Sequence, residues 1–217
     1  MKQQAINDGV SNALQSQVLK DATLLRGELE GDFANRGKTS GTPILVALCG
    51  LPGSGKSYFA RELTKLAPFC VLESDRLRKT LVSKPKYSRS EHTRIFSVCH
   101  LLIEEYLSQG ERVLFDATNL TEKFRLPLRQ ISQRQNSPLV LVHLAAPRDI
   151  IRQRLQDREK ERQSGLHSSN YSDAGWLIYC RMAPYEEAVQ GEHLSVDTSG
   201  DISRTVEDVV KLAAALA

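Results

Sequence analysis

Eight consecutive residues carry the densest chemical signal in the chain: Gly50-Leu51-Pro52-Gly53-Ser54-Gly55-Lys56-Ser57. They fit G-x-x-x-x-G-K-[ST] without a mismatch. Glycines lack Cβ, so the chain can double back and point several N–H groups inward. Those N–H groups, with the positive N-terminus of a following helix, form a seat for a polyphosphate. In this pattern Lys56 reaches the β- and γ-phosphates and the Ser57 hydroxyl ligates Mg²⁺. The nucleotide-contacting set is therefore Gly50, Gly53, Ser54, Gly55, Lys56, Ser57 and the adjoining Tyr58, with the N–H groups of residues 53–57 as the cradle. A plain glycine-rich turn is the alternative. With glycine near 7% of average usage, chance yields the pattern in roughly one per cent of chains this long. The context lowers that further: the apolar run Ile44 to Cys49 reads as a buried strand and "YFARELTKL" as a helix.

The elements that must carry this loop alternate in type. Apolar runs predict strands over 44–49, 69–73, 111–116, 138–144 and 193–196. Helical patterns cover 55–66, 75–83, 90–108, 121–136, 147–162, 173–189 and 201–216. Strands alternating with helices predict an α/β fold with a parallel sheet covered on both faces. Ligands in such folds bind beyond the carboxyl ends of the strands.

The residues just past each predicted strand are chemically distinctive. Strand two is followed by "ESDRLRK", with Asp75 opening a helix and Arg78 one turn on. Strand three ends in "FDATNL", giving Asp116, Thr118 and Asn119; strand five is followed by Asp197, Thr198 and Ser199. Of two acids beside a phosphate loop, one can accept a proton from an attacking hydroxyl. The other can hold Mg²⁺ or orient a neighbouring arginine. Asp75 suits the first role, although aspartate is also a favoured helix N-cap. Asp116 suits either metal or arginine, and Asn119 is grouped with Arg78 and Asp116 on the acceptor side. After strand four, Arg148, Arg152, Arg154, Arg158 and Arg162 are interleaved with Asp149, Asp157, Glu159 and Glu161. Ion pairs at i,i+4 on a solvated helix would account for most of these. Phosphoryl transfer needs an arginine facing the moving group; Arg154 and Arg158 lie four apart on one face, as do Arg158 and Arg162, and one of these suits that role.

Composition sets the outer limits. The chain has 217 residues, 29 Lys plus Arg against 26 Asp plus Glu, a net +3 too mild to imply nucleic acid by itself. One basic run stands out: Arg76, Arg78, Lys79, Lys84, Lys86, Arg89 and Arg94, with Tyr87 in the middle and only Glu91 opposing within the run. It is either a solvated basic loop or a surface for a phosphorylated acceptor. Cys49, Cys70, Cys99 and Cys180 show no C-x-x-C spacing and read as reduced thiols. No apolar run approaches about 18 residues, and the polar N-terminus has no signal-peptide core. Both point to a cytoplasmic location. Residues 1–42 form an extension ahead of a 43–217 domain. In it, Ile6, Val10, Ala13, Leu14, Val18, Ala22, Leu25 and Leu29 recur at helical spacing, with a possible break near Gly9, before the linker "GDFANRGKTSGTP". This amphipathic helix either packs on the domain or mediates homo-oligomerisation.

In order and spacing, "GLPGSGKS", "SDRLR", "FDATN" and "RQRLQDR" resemble the P-loop kinases of the polynucleotide 5′-kinase and zeta-toxin type. "KYSRSEHTRIFSVCHLLIEEYLSQGERVLFDATN" and "YSDAGW" are similar to a broad bacterial set of AAA-type predicted kinases whose acceptors are largely undefined. The resemblance implies a five-stranded sheet in the order 2-3-1-4-5 and a lid over about residues 147–170. It implies ATP and Mg²⁺, Asp75 as general base, Arg78 on the acceptor's phosphate and Asp116 supporting that arginine. It places Arg158 on the donor phosphates, and Thr198 and Ser199 near the adenine. The activity so implied is ATP-dependent phosphoryl transfer to a hydroxyl, that of a nucleic-acid 5′ end or, alternatively, of a small molecule or nucleotide sugar. A non-catalytic ATP-binding module is the third reading. A GTPase lacks support because no N-K-x-D or T-K-x-D occurs, and the chain is short for a mechanical AAA ATPase.

Overall fold

A computed structural model describes residues 2–34, 42–164 and 172–215. Chain order is α1 (Lys2–Ala34), β1 (Ile44–Cys49), α2 (Lys56–Leu66), β2 (Cys70–Glu73), α3 (Ser74–Leu81), α4 (Arg89–Ser108) and β3 (Arg112–Asp116). Then follow α5 (Glu122–Arg134), β4 (Leu139–Ala145), α6 (Arg148–Gln163), α7 (Trp176–Met182), β5 (Leu194–Asp197) and α8 (Ser203–Ala215). All five strands pair in parallel in the order β2-β3-β1-β4-β5. This is the α/β, P-loop NTPase arrangement that the motifs predict.

Strand alternation divides the sheet into two apolar faces. Leu45, Ala47, Cys49, Val113 and Phe115 point to one side, where α1, α3, α4 and α5 cover them. Ile44, Val46, Leu48, Leu114 and Val142 point to the other, under α2 and α8. With both faces covered, each central strand reads as a continuous hydrophobic run, which is why the strands are legible. A smaller cluster of Leu51, Leu120, Ile151, Leu155 and Tyr179 seats α6 and α7 on the phosphate loop. Burial pushes the Cys49 and Cys99 thiols up to about 12, and all four cysteines are free.

Two stretches differ from expectation. The N-terminal helix runs unbroken through Gly9 and on to Ala34, where a linker was expected from Gly31. Glycine weakens a helix interior by about 1 kcal/mol but does not bar it, and tertiary contacts supply the support. Val18, Ala22, Leu25 and Leu29 are buried in the core shared with α4. Arg94 donates to Asp21 through Nε (2.6 Å) and Nη2 (2.8 Å), and Arg26 pairs with Glu105 at 2.7 Å. From Val18 to Leu29 the apolar face is thus taken up within the chain. The other correction is at 173–189, where only Trp176–Met182 is α-helical, followed by a 3-10 turn at Ala183–Tyr185. Beyond it, Arg125 donates to the carbonyls of Glu187 (3.2 Å) and Ala188 (2.8 Å), holding that backbone away from helix formation. Arg125 is fully buried, and its other N–H groups meet Glu122 and the carbonyls of Asn119 and Leu120. Lastly, the linker's Asn35 to Gly41 lie outside the described residues. No described helix is long and apolar enough to cross a membrane.

Candidate active site

The phosphate loop leaves β1 at Gly50, whose φ of +139° suits only glycine; a Cβ there would lie 2.3 Å from the Leu144 carbonyl oxygen of β4. Gly55, at φ +92°, closes the loop against Thr198 and caps α2. Residues Gly53 to Ser57 therefore lie between the ends of β1, β4 and β5 and the N-terminus of α2, whose first N–H groups have no intrahelical acceptor. Ser54 departs from the expected cradle, since its N–H donates back to Leu51 O (3.1 Å). Tyr58 stands half-exposed on α2.

Lys56 Nζ donates to Gly50 O and Leu51 O, both at 3.0 Å, so the cation sits inside the loop. Burial lowers its pKa, opposed by the charges of Asp116 and Asp75. Ser57 Oγ donates to Asp116 Oδ2 at 2.8 Å. Asp116 is brought there by the β1–β3 register, which sets it opposite Leu48 next to the loop. Burial raises the Asp116 pKa, and Lys56 and the Ser57 hydrogen bond oppose that. Glu73 lies opposite Asp116 in the β2–β3 register; burial, then Asp116 and Asp75, push it up to about 8. A hydroxyl and a carboxylate at hydrogen-bond distance form the hard-oxygen donor set that Mg²⁺ takes. The residues present fit that ion.

Asp75 lies in the first turn of α3, whose N-cap is Glu73, so the N-cap reading of Asp75 does not hold. Arg158 reaches the same region from α6: burial and Arg162 lower its pKa, while Asp75 and Asp116 raise it. Lys56, Asp75, Asp116 and Arg158, from four elements, thus share one electrostatic environment.

The remaining expected site residues are held by partners that the fold supplies. Arg78 is buried and paired with Glu91 at 2.6 Å, its guanidinium 4.8 Å from the Tyr87 ring centroid. Of the two roles expected of Asp116, holding metal or orienting Arg78, its bond to Ser57 fits the first; Glu91, and not Asp116, pairs with the arginine. Asn119 has no exposed surface, and its amide donates to Leu48 O at 2.7 Å, so it braces β1 and cannot touch a substrate. Arg154 donates to Thr198 Oγ1 (2.8 Å), Thr198 O (2.6 Å) and Gly53 O (3.4 Å). It fastens the loop and is not a second free lid cation. Thr198 is buried and donates to Ser54 O at 2.8 Å, so its side chain supports the loop from beneath; Ser199 Oγ is bonded to Asp197. Glu91, which holds Arg78, and Asp173, which holds Lys79 and Tyr87, carry no local signature. Their partners are set only by the fold.

Residues 45–173 match the family described as an AAA domain, more than half of the 217 residues. The chain belongs to this family. The matched span of this AAA domain runs from β1 to Asp173 and takes in the loop, both strand-end acids and α6. Among solved structures, the chain is similar to the Mycobacterium tuberculosis APS kinase CysC in complex with AMPPNP and APS. That match has TM-score 0.55 and 16% identity, covering 79% of this chain and 97% of that one. Chaetomium thermophilum Kti12 in complex with ADP-AlF3 matches at TM-score 0.59 and 17% identity, over 78% and 98%. A Sinorhizobium meliloti gluconokinase matches at TM-score 0.53 and 19% identity, over 83% and 97%. At these identities the likeness is one of fold, the P-loop NTPase arrangement described above.

Proposed function

We propose that this AAA domain is an ATP- and Mg²⁺-dependent phosphotransferase acting on the hydroxyl of a small acceptor. One observation carries the reading: Lys56, the Ser57–Asp116 pair, Asp75 and Arg158 converge at the carboxyl ends of β1, β2 and β3. Asp75 accepts the acceptor's hydroxyl proton as that oxygen forms its bond to the γ-phosphorus. The bond from the γ-phosphorus to the β–γ bridging oxygen breaks, and ADP leaves. Lys56 and Arg158 meet the charge on the moving group, which is where electrostatic catalysis is largest. Mg²⁺, when bound, neutralises phosphate charge, and Ser57 and Asp116 would hold it. Arg78 and Tyr87 shape the acceptor side. The structural likeness to APS kinase and gluconokinase agrees with this reading.

The small acceptor is favoured over a nucleic-acid 5′ end by the fate of the basic run. Glu91 is not its only opponent: Glu28 pairs with Arg76 (3.4 Å), Asp173 with Lys79 (2.7 Å) and Asp21 with Arg94 (2.6 Å). Lys84, Lys86 and Arg89 are left exposed, a short strip for tracking a phosphate backbone. The deciding experiment is transfer of γ-³²P from ATP to nucleosides, sugars, nucleotide sugars and 5′-hydroxyl oligonucleotides. A small compound is expected to be the best acceptor, with a KM indifferent to Lys84→Glu combined with Lys86→Glu. An oligonucleotide acceptor whose KM rises steeply with salt and with that double change would overturn the small-acceptor reading. ATP binding without transfer to any acceptor class would leave the non-catalytic module.

The arginines of α6 provide a separate check. Arg158→Ala is expected to slow single-turnover transfer by roughly 10²- to 10³-fold, as for loss of one transition-state donor. Arg152 stands 5.4 Å from the Trp176 ring on the outer side of α6, and Arg152→Ala should leave the rate nearly unchanged. Equal small effects would return α6 to a solvated, ion-paired helix.

A further inference from the structure

Arg154, Arg158 and Arg162 recur every four residues on α6 and so lie in one row. The first is bonded to the phosphate loop and Thr198. The last approaches Asp173: Arg162 Nη1 donates to Asp173 O at 3.4 Å and lies 3.7 Å from its Oδ1. Arg162 also pairs with Glu159 on its own helix at 2.5 Å. Between them, Arg158 has no hydrogen bond or ion pair among the described residues, and its neighbouring charges include Asp75 and Asp116. The row is therefore fastened at both ends and open in the middle.

Asp173 does more than hold Arg162. Its Oδ1 accepts from Lys79 Nζ of α3 at 2.7 Å, and its Oδ2 accepts from the Tyr87 hydroxyl at 3.1 Å. Tyr87 is itself held in a left-handed conformation, φ 53°, by its N–H to Glu91 Oε1 (3.3 Å), with the Arg78 guanidinium over its ring. One carboxylate thus joins α6, which carries Arg158, to α3, which carries Asp75 and Arg78. Lys79, Asp173 and Arg162 each keep about a third or more of their side chain exposed. Exposed ion pairs are individually weak, so the junction is reversible.

We propose that Asp173 is a positioning residue that clasps α6 to α3 and so sets how the helix carrying Arg158 sits against the helix carrying Asp75; this rests on the phosphotransferase reading above. The proposed catalytic cation and base come from different elements, and this clasp is a side-chain link that registers one against the other.

The test uses the full chain and two readouts. Trp176, the only tryptophan, lies three residues from Asp173, stacked on Tyr179 at 4.8 Å and 5.4 Å from both Arg148 and Arg152 of α6. Its emission therefore reports how α6 sits, without any acceptor. Asp173→Ala is expected to shift that emission and to lower the transfer rate by roughly 10- to 100-fold, the scale of a misplaced catalytic group. ATP affinity should stay within about twofold, because Arg154 still fastens the loop. Asp173→Glu, which keeps the carboxylate, should recover part of both signals. In the Arg158→Ala background, Asp173→Ala should cost almost nothing further, since its effect passes through that arginine. Unchanged Trp176 emission, or a rate loss as large in the Arg158→Ala background as in the wild type, overturns the clasp. If the wild type transfers phosphate to no acceptor, the phosphotransferase reading fails while the emission still tests the junction.

Discussion

Replacing Lys56 with alanine is expected to abolish phosphoryl transfer and to weaken ATP binding. Lys56 is the only side-chain cation in the loop, and it lies in the field of Asp116 and Asp75. Without it, a polyanion would meet two carboxylates with no counter-charge inside the cradle. Loss of a hydrogen bond to a charged group costs about 1.5–3 kcal/mol, or roughly 10- to 150-fold in Kd. The effect on transfer is larger, because charge grows on the phosphoryl oxygens in the transition state. Lys56 also satisfies Gly50 O and Leu51 O, so the variant's thermal unfolding should be recorded beside its titration with ATP. A folded Lys56→Ala protein with wild-type turnover would remove the loop from the chemistry.

Asp75→Asn should separate proton transfer from binding. The amide matches the carboxylate in size but accepts no proton at neutral pH. Loss of a general base predicts a rate lower by roughly 10²- to 10⁴-fold. ATP affinity should barely move, since no phosphate-loop group is bonded to Asp75 and the loop's carboxylate contact is Ser57–Asp116. Asp75 also places negative charge in the first turn of α3, so the variant should lose about 0.3–1 kcal/mol of stability through the helix dipole. Calorimetry and single-turnover kinetics on the same sample decide the matter. If ATP binding disappears together with the rate, Asp75 belongs to the donor site and another group must take the proton.

These two variants act on residues at strand ends, where local pattern and topology coincide. The Arg158 and Asp173 variants act on groups whose placement depends on helices packed across the site. Should the first pair behave as expected and the second fail, the donor site and base would stand. The geometry holding the acceptor against them would then need another account.

What the sequence determined by itself was whatever short-range chemistry could specify. Ile44 to Cys49 is apolar without interruption because β1 is buried on both faces, and the glycines that follow are required by positive φ and close backbone approach. The same logic made all five strands and the acids at the ends of β2 and β3 readable to within a residue or two. Tertiary structure alone decided the partners. Arg78 turns to Glu91 and not Asp116, Arg154 to Thr198 across 44 residues, and Lys79 to Asp173 across 94. It also buried Asn119, expected on the acceptor side, against the Leu48 carbonyl of β1. A charged side chain carries no record in its neighbours of which distant element the fold will bring to it. Charge runs that look free along the chain are therefore paired, or left open like Arg158, only once the sheet order and the helix packing are set.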